Sequence, residues 1–225
     1  TLIKILAGIY RPDPGAKFYF EGKEAEIQKT IDSTLKGISI IYQDLSLFSN
    51  LSVAENIYIG RDSDKKPWKK IRWKEMEDTA KRALKELEFE IDVHTPVEKL
   101  SIAQQQLIEI ARALAFDSKL IVMDEPTSSL SAGEVEKLYK VIQKLKDRGI
   151  SIIFVSHKLK ELFTVSDRFT ILWDGKYVGT YETEELDEDK LITLMVGRQI
   201  LYNKNMVKGK TGKTLLELNG LSKEG

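Results

Sequence analysis

Hydrophobic positions along the chain follow two rhythms, solid apolar runs and steps of three or four residues, and together they predict its elements. Residues 16–20 (AKFYF), 38–42 (ISIIY), 120–125 (LIVMDE) and 150–155 (ISIIFV) are the solid runs, each the length of a buried strand. Helical stepping links Trp73, Met76, Ala80, Ala83, Leu84 and Leu87, then Leu107, Ile108, Ala111, Leu114 and Ala115, then Val135, Leu138, Val141, Ile142 and Leu145. Residues 1–6, 27–36 and 191–196 also read as helices, the first two ended by Gly8 and Gly37, and Gly149 ends the one that begins near Val135. Ser52 with Glu55, and Ser101 with Gln104, have the spacing of capping boxes and mark two helix starts. Asp174-Gly175 between residues 169–173 and 177–181 predicts a tight hairpin. Nothing caps Thr1, so the first helix reads as one whose first turn lies upstream.

Strands alternating with helices predict an α/β fold with a mostly parallel sheet, the hairpin adding an antiparallel β element. No strand pattern interrupts residues 51–115, which read as a helical subdomain inserted into the sheet. The chain therefore divides into a core part at 1–50, the helical subdomain at 51–115 and a second core part at 116–200. Residues 201–225 hold a Gly/Lys-rich linker (203–213) and then LLEL (215–218), the opening strand of a further unit.

Composition narrows the picture. Of 225 residues, 42% are hydrophobic and 31% charged, the balance of a folded domain with a core. Lys plus Arg equals Asp plus Glu at 35 each, so no net field attracts nucleic acid. The basic-aromatic run at 65–73 (KKPWKKIRW) then reads as a solvated loop, and no nucleic-acid partner is expected. Cysteine is absent, which removes thiolate and disulfide chemistry. His94 and His157 are the only histidines and share no metal-ligand spacing with acids. No apolar run approaches the roughly 20 residues of a membrane-spanning helix, and no signal peptide opens the chain.

Chemistry gathers at strand ends, where open α/β sheets bind their ligands. A buried strand delivering Asp124 suits a carboxylate that holds Mg²⁺ against nucleotide phosphates, and Glu125 beside it suits a base for water. The same hexamer also suits an ordinary acidic turn. Ser101 opens a helix whose free N–H groups favour anions, although most capping boxes bind nothing. Gln43, after ISIIY, has an amide oxygen available to Mg²⁺ or water, and His157, after ISIIFVS, can bond a γ-phosphate oxygen. Alone, each is as readily a solvated loop residue.

Their order is more specific. Gln after a strand, a helical region, LSxxQ, a strand ending Asp-Glu-Pro, a helix, a strand and then His resembles the ATP-binding cassette (ABC) ATPases over nearly the whole chain. The resemblance implies a P-loop-NTPase-like fold that binds ATP with Mg²⁺. In its terms Gln43 is the Q-loop glutamine, residues 100–104 are the signature, Asp124 is the Walker B carboxylate, and Glu125 and His157 are catalytic. Thr1 matches the threonine that follows the P-loop and contacts the α-phosphate. Ser101 and Gln104 would serve nucleotide on a second cassette, in the same chain or a dimer.

Three departures stand out. The P-loop GxxGxGKS is absent from these residues, so the chain by itself is expected to bind and hydrolyse ATP poorly. Ile102-Ala103 replaces the signature Gly-Gly, and Ser131 replaces the D-loop aspartate. The last two resemble the first cassette of tandem ATPases of bacterial monosaccharide importers, as does the junction from Met195 through LLELNGLS. That likeness implies membrane permease subunits, an extracellular or periplasmic sugar-binding protein, and a peripheral place on the cytoplasmic face of the plasma membrane. The rival readings are a chromosomal or ribosomal cassette ATPase, whose long coiled or basic insertions are missing here, and a cassette kept for assembly without turnover.

Overall fold

The computed structural model describes residues 1–60 and 72–196. Its elements begin with α1 (Leu2–Leu6), β1 (Phe18–Phe20), β2 (Lys23–Ala25), α2 (Thr30–Leu35), β3 (Ile38–Ile41), α3 (Val53–Tyr58), α4 (Trp73–Glu86) and α5 (Ile102–Ala115). They continue with β4 (Leu120–Asp124), α6 (Ala132–Asp147), β5 (Ser151–Val155), α7 (Leu159–Val165), β6 (Arg168–Trp173), β7 (Lys176–Glu182) and α8 (Glu188–Val196). The expectations for residues 65–71, Gly197, Arg198, the linker at 203–213 and LLEL at 215–218 lie outside the described residues.

Parallel pairing joins β3, β4 and β5 with β4 in the middle, so that Ile41, Met123 and Phe154 stand side by side. A strand covered on both edges and both faces reads as a solid apolar run, and Ile121, Val122 and Met123 are completely buried. β5 is as apolar in sequence but only half-buried, because β4 covers one of its edges among the described residues. Return from β4 to β5 runs through α6, which buries Leu138, Val141, Ile142 and Leu145 and stops at Gly149 with φ +80°.

The connection from β3 to β4 is helical, as expected. Here α3, α4 and α5 pack on one another and share one apolar cluster with the buried face of the sheet. Among the described residues, the only pairing of strand type within it is a single bridge between Ser52 and Pro96. α5 is buried on more than the expected face. Ile110 and Ala113 join Ile108 and Ala111 in the core because α3 and α4 lie against one side and β3 against another. Trp73, expected on the packed face of α4, is instead exposed, since it occupies the first position of the helix and lies beyond its packed stripe.

Other differences are local. α2 begins at Thr30, not near 27, because the Asp32 carboxylate accepts the N–H groups of Gln28 and Lys29, both at 2.9 Å, and Lys29 is extended. β2 and α7 were not anticipated. β2 is polar and short, and it pairs with β1 through a turn in which Glu21 and Gly22 both take positive φ. The chain forms two compact units, Thr1–Asp167 and a second beginning at Arg168. In the second, the predicted hairpin is present: β6 and β7 are antiparallel about Asp174 (φ +49°) and Gly175 (φ +73°), the left-handed pair that suits strand twist.

Candidate nucleotide-hydrolysis site

β4 delivers the carboxylates. Its ladder with β5 runs one residue past the strand, where the Glu125 N–H donates to the Val155 carbonyl at 2.9 Å. The chain then turns sharply, with Glu125 at φ +49° and Pro126 next. A non-glycine residue in this conformation is strained by roughly 1–2 kcal/mol, so its surroundings must hold it there. The turn sets Glu125 Oε1 3.2 Å from His157 Nδ1, two residues beyond the end of β5. Two residues expected to be catalytic, 32 positions apart in sequence, therefore meet across one strand pair.

Asp124 is half-buried on the same edge. Its charge reaches Tyr42, just past the end of β3, where burial first and Asp124 second raise the phenol pKa above its ordinary value. Gln43 follows, exposed, so an amide oxygen sits one residue beyond the group that senses Asp124. A carboxylate and an amide oxygen form a hard donor set that suits Mg²⁺, which keeps most of its waters and takes few protein ligands. Among the described residues no cluster of three or more His, Asp or Glu forms an all-protein metal cage.

The segment after Gln43 is tied down to α5 and α3. Glu109, buried on α5, accepts from the Ser46 N–H (2.9 Å) and Ser46 Oγ (3.0 Å). Arg112 donates to the Ser46 carbonyl (3.2 Å) and Ser46 Oγ (2.8 Å) and pairs with Glu109. A buried carboxylate survives only when paired and hydrogen-bonded, and here it is both.

A family model for the ABC transporter matches residues 1–128, more than half of the chain. The chain belongs to the ABC transporter family. It is 41% identical to the ribose import ATP-binding protein of Clostridium perfringens, matching all of this chain and 45% of that protein. It is 39% identical to a galactose/methyl galactoside import ATP-binding protein of Photobacterium profundum, again over all of this chain and 45% of the relative. The cassette thus spans less than half the length of these curated relatives. A solved ATP-binding cassette of an ABC transporter superposes with a TM-score of 0.73 at 27% identity, covering 88% of this chain and 83% of the other. The α/β architecture with its parallel sheet, antiparallel strands and helical insertion is that of an ABC cassette, and ABC cassettes bind ATP.

The remaining expected site residues lie elsewhere on the cassette. Thr1 is the exposed residue before α1. Ser101 and Gln104 form the predicted capping box: the Gln104 N–H donates to Ser101 Oγ at 3.3 Å and the Ser101 N–H to Gln104 Oε1 at 2.9 Å. Both belong to the start of α5, not to the edge that brings Glu125 and His157 together. Ser131, at the D-loop position, opens α6 with a box of its own, its N–H and Oγ both bonding the Glu134 carboxylate. Among the described residues no helix is long and apolar enough to cross a membrane.

A further polar group, like Glu109 and Arg112, has no distinctive mark in the sequence. Glu161, in the first turn of α7, is buried and accepts from Thr127 Oγ1 (2.5 Å), Ser156 Oγ (3.0 Å) and Lys158 Nζ (3.1 Å). Burial raises its pKa, but the bonds from Thr127, Lys158 and Ser156, with the Lys158 charge, outweigh that and hold it below the ordinary value. The only trace in sequence was the three-residue spacing of Lys158 and Glu161, which is common on solvated helices.

Proposed function

We propose that this chain is one ATP-hydrolysing cassette of a longer ATPase that drives monosaccharide uptake. The 3.2 Å approach of His157 to Glu125 at the ends of β5 and β4 carries the reading. In it, Glu125 orients a water and takes its proton as the oxygen attacks the γ-phosphorus and ADP departs. His157, held by Glu125, bonds a γ-phosphate oxygen. Asp124 and Gln43 would hold Mg²⁺, which supplies charge neutralisation on the phosphates. The Thr1 hydroxyl meets the α-phosphate. Ser101 and Gln104, at the N-terminus of a 14-residue helix, face the nucleotide of a second cassette, where unpaired N–H groups and the helix dipole favour anions.

Residues 51–115 form the arm that faces permease subunits in the membrane, and an extracellular or periplasmic binding protein supplies the sugar. On this reading the protein sits on the cytoplasmic face of the membrane without entering it. The sugar-import reading rests on the ribose and galactose import functions of relatives near 40% identity.

The complete protein, reconstituted with its permease in vesicles, tests the proposal. Expected is ATP-dependent accumulation of a monosaccharide, with hydrolysis rising when loaded binding protein is added. Hydrolysis indifferent to permease, binding protein and sugar would refute the transport role.

A further inference from the structure

Glu161 sits where a single carboxylate can fix the geometry of two loops. Its Oε2 accepts from Thr127 Oγ1 and Ser156 Oγ. Thr127 is two residues after Glu125, and Ser156 is immediately before His157. One buried oxygen therefore bridges the turn that carries the carboxylate and the loop that carries the imidazole. Lys158 closes a ring around it: Nζ contacts Glu161 Oε1 at 3.1 Å and the Thr127 carbonyl at 3.4 Å, while the Lys158 N–H donates to Ser156 Oγ at 3.0 Å.

The pair being held needs such support. Glu125 stands in left-handed backbone, and nothing in its own sequence neighbourhood favours that conformation for a glutamate. His157 is largely exposed, its side chain 65% accessible. Thr127, by contrast, is fully buried, so its bond to Glu161 is shielded from water and anchors the turn from below. Tyr139 of α6 also faces Glu161. Burial, then the Glu161 charge, push its phenol up to about 12, so it stays neutral and adds no competing anion.

We propose that Glu161 is a positioning residue for hydrolysis, holding the Glu125 turn and the His157 loop in register through Thr127 and Ser156. It acts through those two hydroxyls, not on the reacting groups. The proposal rests on the reading that Glu125 and His157 act on ATP. A merely structural staple would lower stability and leave turnover per folded molecule unchanged. A positioning residue lowers kcat and spares KM, because a displacement of about 1 Å at the reacting groups costs on the order of 100-fold.

The test uses the complete ATPase with Glu161→Gln, Thr127→Val and Thr127→Ser, read by steady-state kinetics and by hydrogen exchange of peptides spanning 124–130 and 155–159. Thr127→Ser keeps the hydroxyl and should retain kcat, whereas Thr127→Val and Glu161→Gln should lose about 10- to 100-fold in kcat with KM for ATP within about threefold. Exchange should quicken in those two peptides for Thr127→Val and Glu161→Gln and stay unchanged in the rest of β4 and β5. Equal kcat in the Val and Ser variants, with unchanged exchange, would overturn the proposal. Glu125→Gln, run alongside, separates the failures. If it hydrolyses ATP as the wild type does, the site reading fails and the catalytic role of Glu161 falls with it. If it loses hydrolysis while Glu161→Gln keeps it, the positioning proposal alone is wrong.

Discussion

Asn56 provides a stability test of the join between the sheet and the helical arm. Its side chain is completely buried at the second turn of α3. Oδ1 accepts from the Phe48 N–H at 2.7 Å, and Nδ2 donates to the carbonyls of Ser52 and Phe48, both at 3.0 Å, and of Leu51 at 3.3 Å. The two amide hydrogens and one acceptor amount to about three hydrogen bonds' worth of stabilisation. At about 1 kcal/mol net for each, Asn56→Ala should cost about 3 kcal/mol. Asn56→Asp should cost more, because it keeps the acceptor but turns an anion toward three carbonyls. For a protein of this size about 3 kcal/mol lowers Tm by roughly 6–12 °C. A thermal melt followed by far-ultraviolet circular dichroism, with hydrogen exchange at 48–58, measures it. A fall of less than about 1 kcal/mol for Asn56→Ala would show that the loop is held by something other than this side chain.

Further consequences concern backbone and charge. Gly8 follows α1 with φ +69°, and a Cβ there would lie 2.4 Å from the carbonyl carbon and oxygen of Lys29. Gly8→Ala should therefore destabilise by roughly 2–5 kcal/mol, combining left-handed strain with a backbone clash, as read by chemical denaturation; a change under about 1 kcal/mol would contradict it. Glu161 and Glu55 both have folded pKa values held below the ordinary 4.5, so their contribution is present above about pH 4.5 and is lost as pH falls through the lowered values. Acid titration of stability should show that loss, and Glu161→Gln should flatten it; an unchanged acid slope in the variant would remove Glu161 from the account.

Much of the fold was written in local pattern. The Asp174-Gly175 hairpin, the boxes at Ser52 and Ser101, and the solid run that became β4 each depend on residues within a few positions of one another. Elements with no strong pattern of their own were not legible. β2 (KEA) has no strand signal and exists because Glu21-Gly22 folds it back on β1. α7 has neither a side-chain cap at its start nor a glycine at its end to announce it. The site divides in the same way. Asp124, Glu125 and His157 declared themselves by ending apolar strands. Glu161, Glu109 and Arg112 act through partners 34, 63 and 66 positions away, and nothing near them in sequence marks those partners. The exposure of β5 is likewise a matter of topology, since its sequence alone is as apolar as that of β4.

On the proposed reading, Glu125 activates water for hydrolysis at this cassette's own nucleotide. Its most direct test is the complete protein carrying Glu125→Gln, incubated with a photo-crosslinking ATP analogue and magnesium, with label recovered from peptides of this chain. Expected is triphosphate on these peptides in the variant and diphosphate in the wild type, with hydrolysis at this site slowed by about 100-fold or more. Diphosphate recovered equally from both proteins would contradict it.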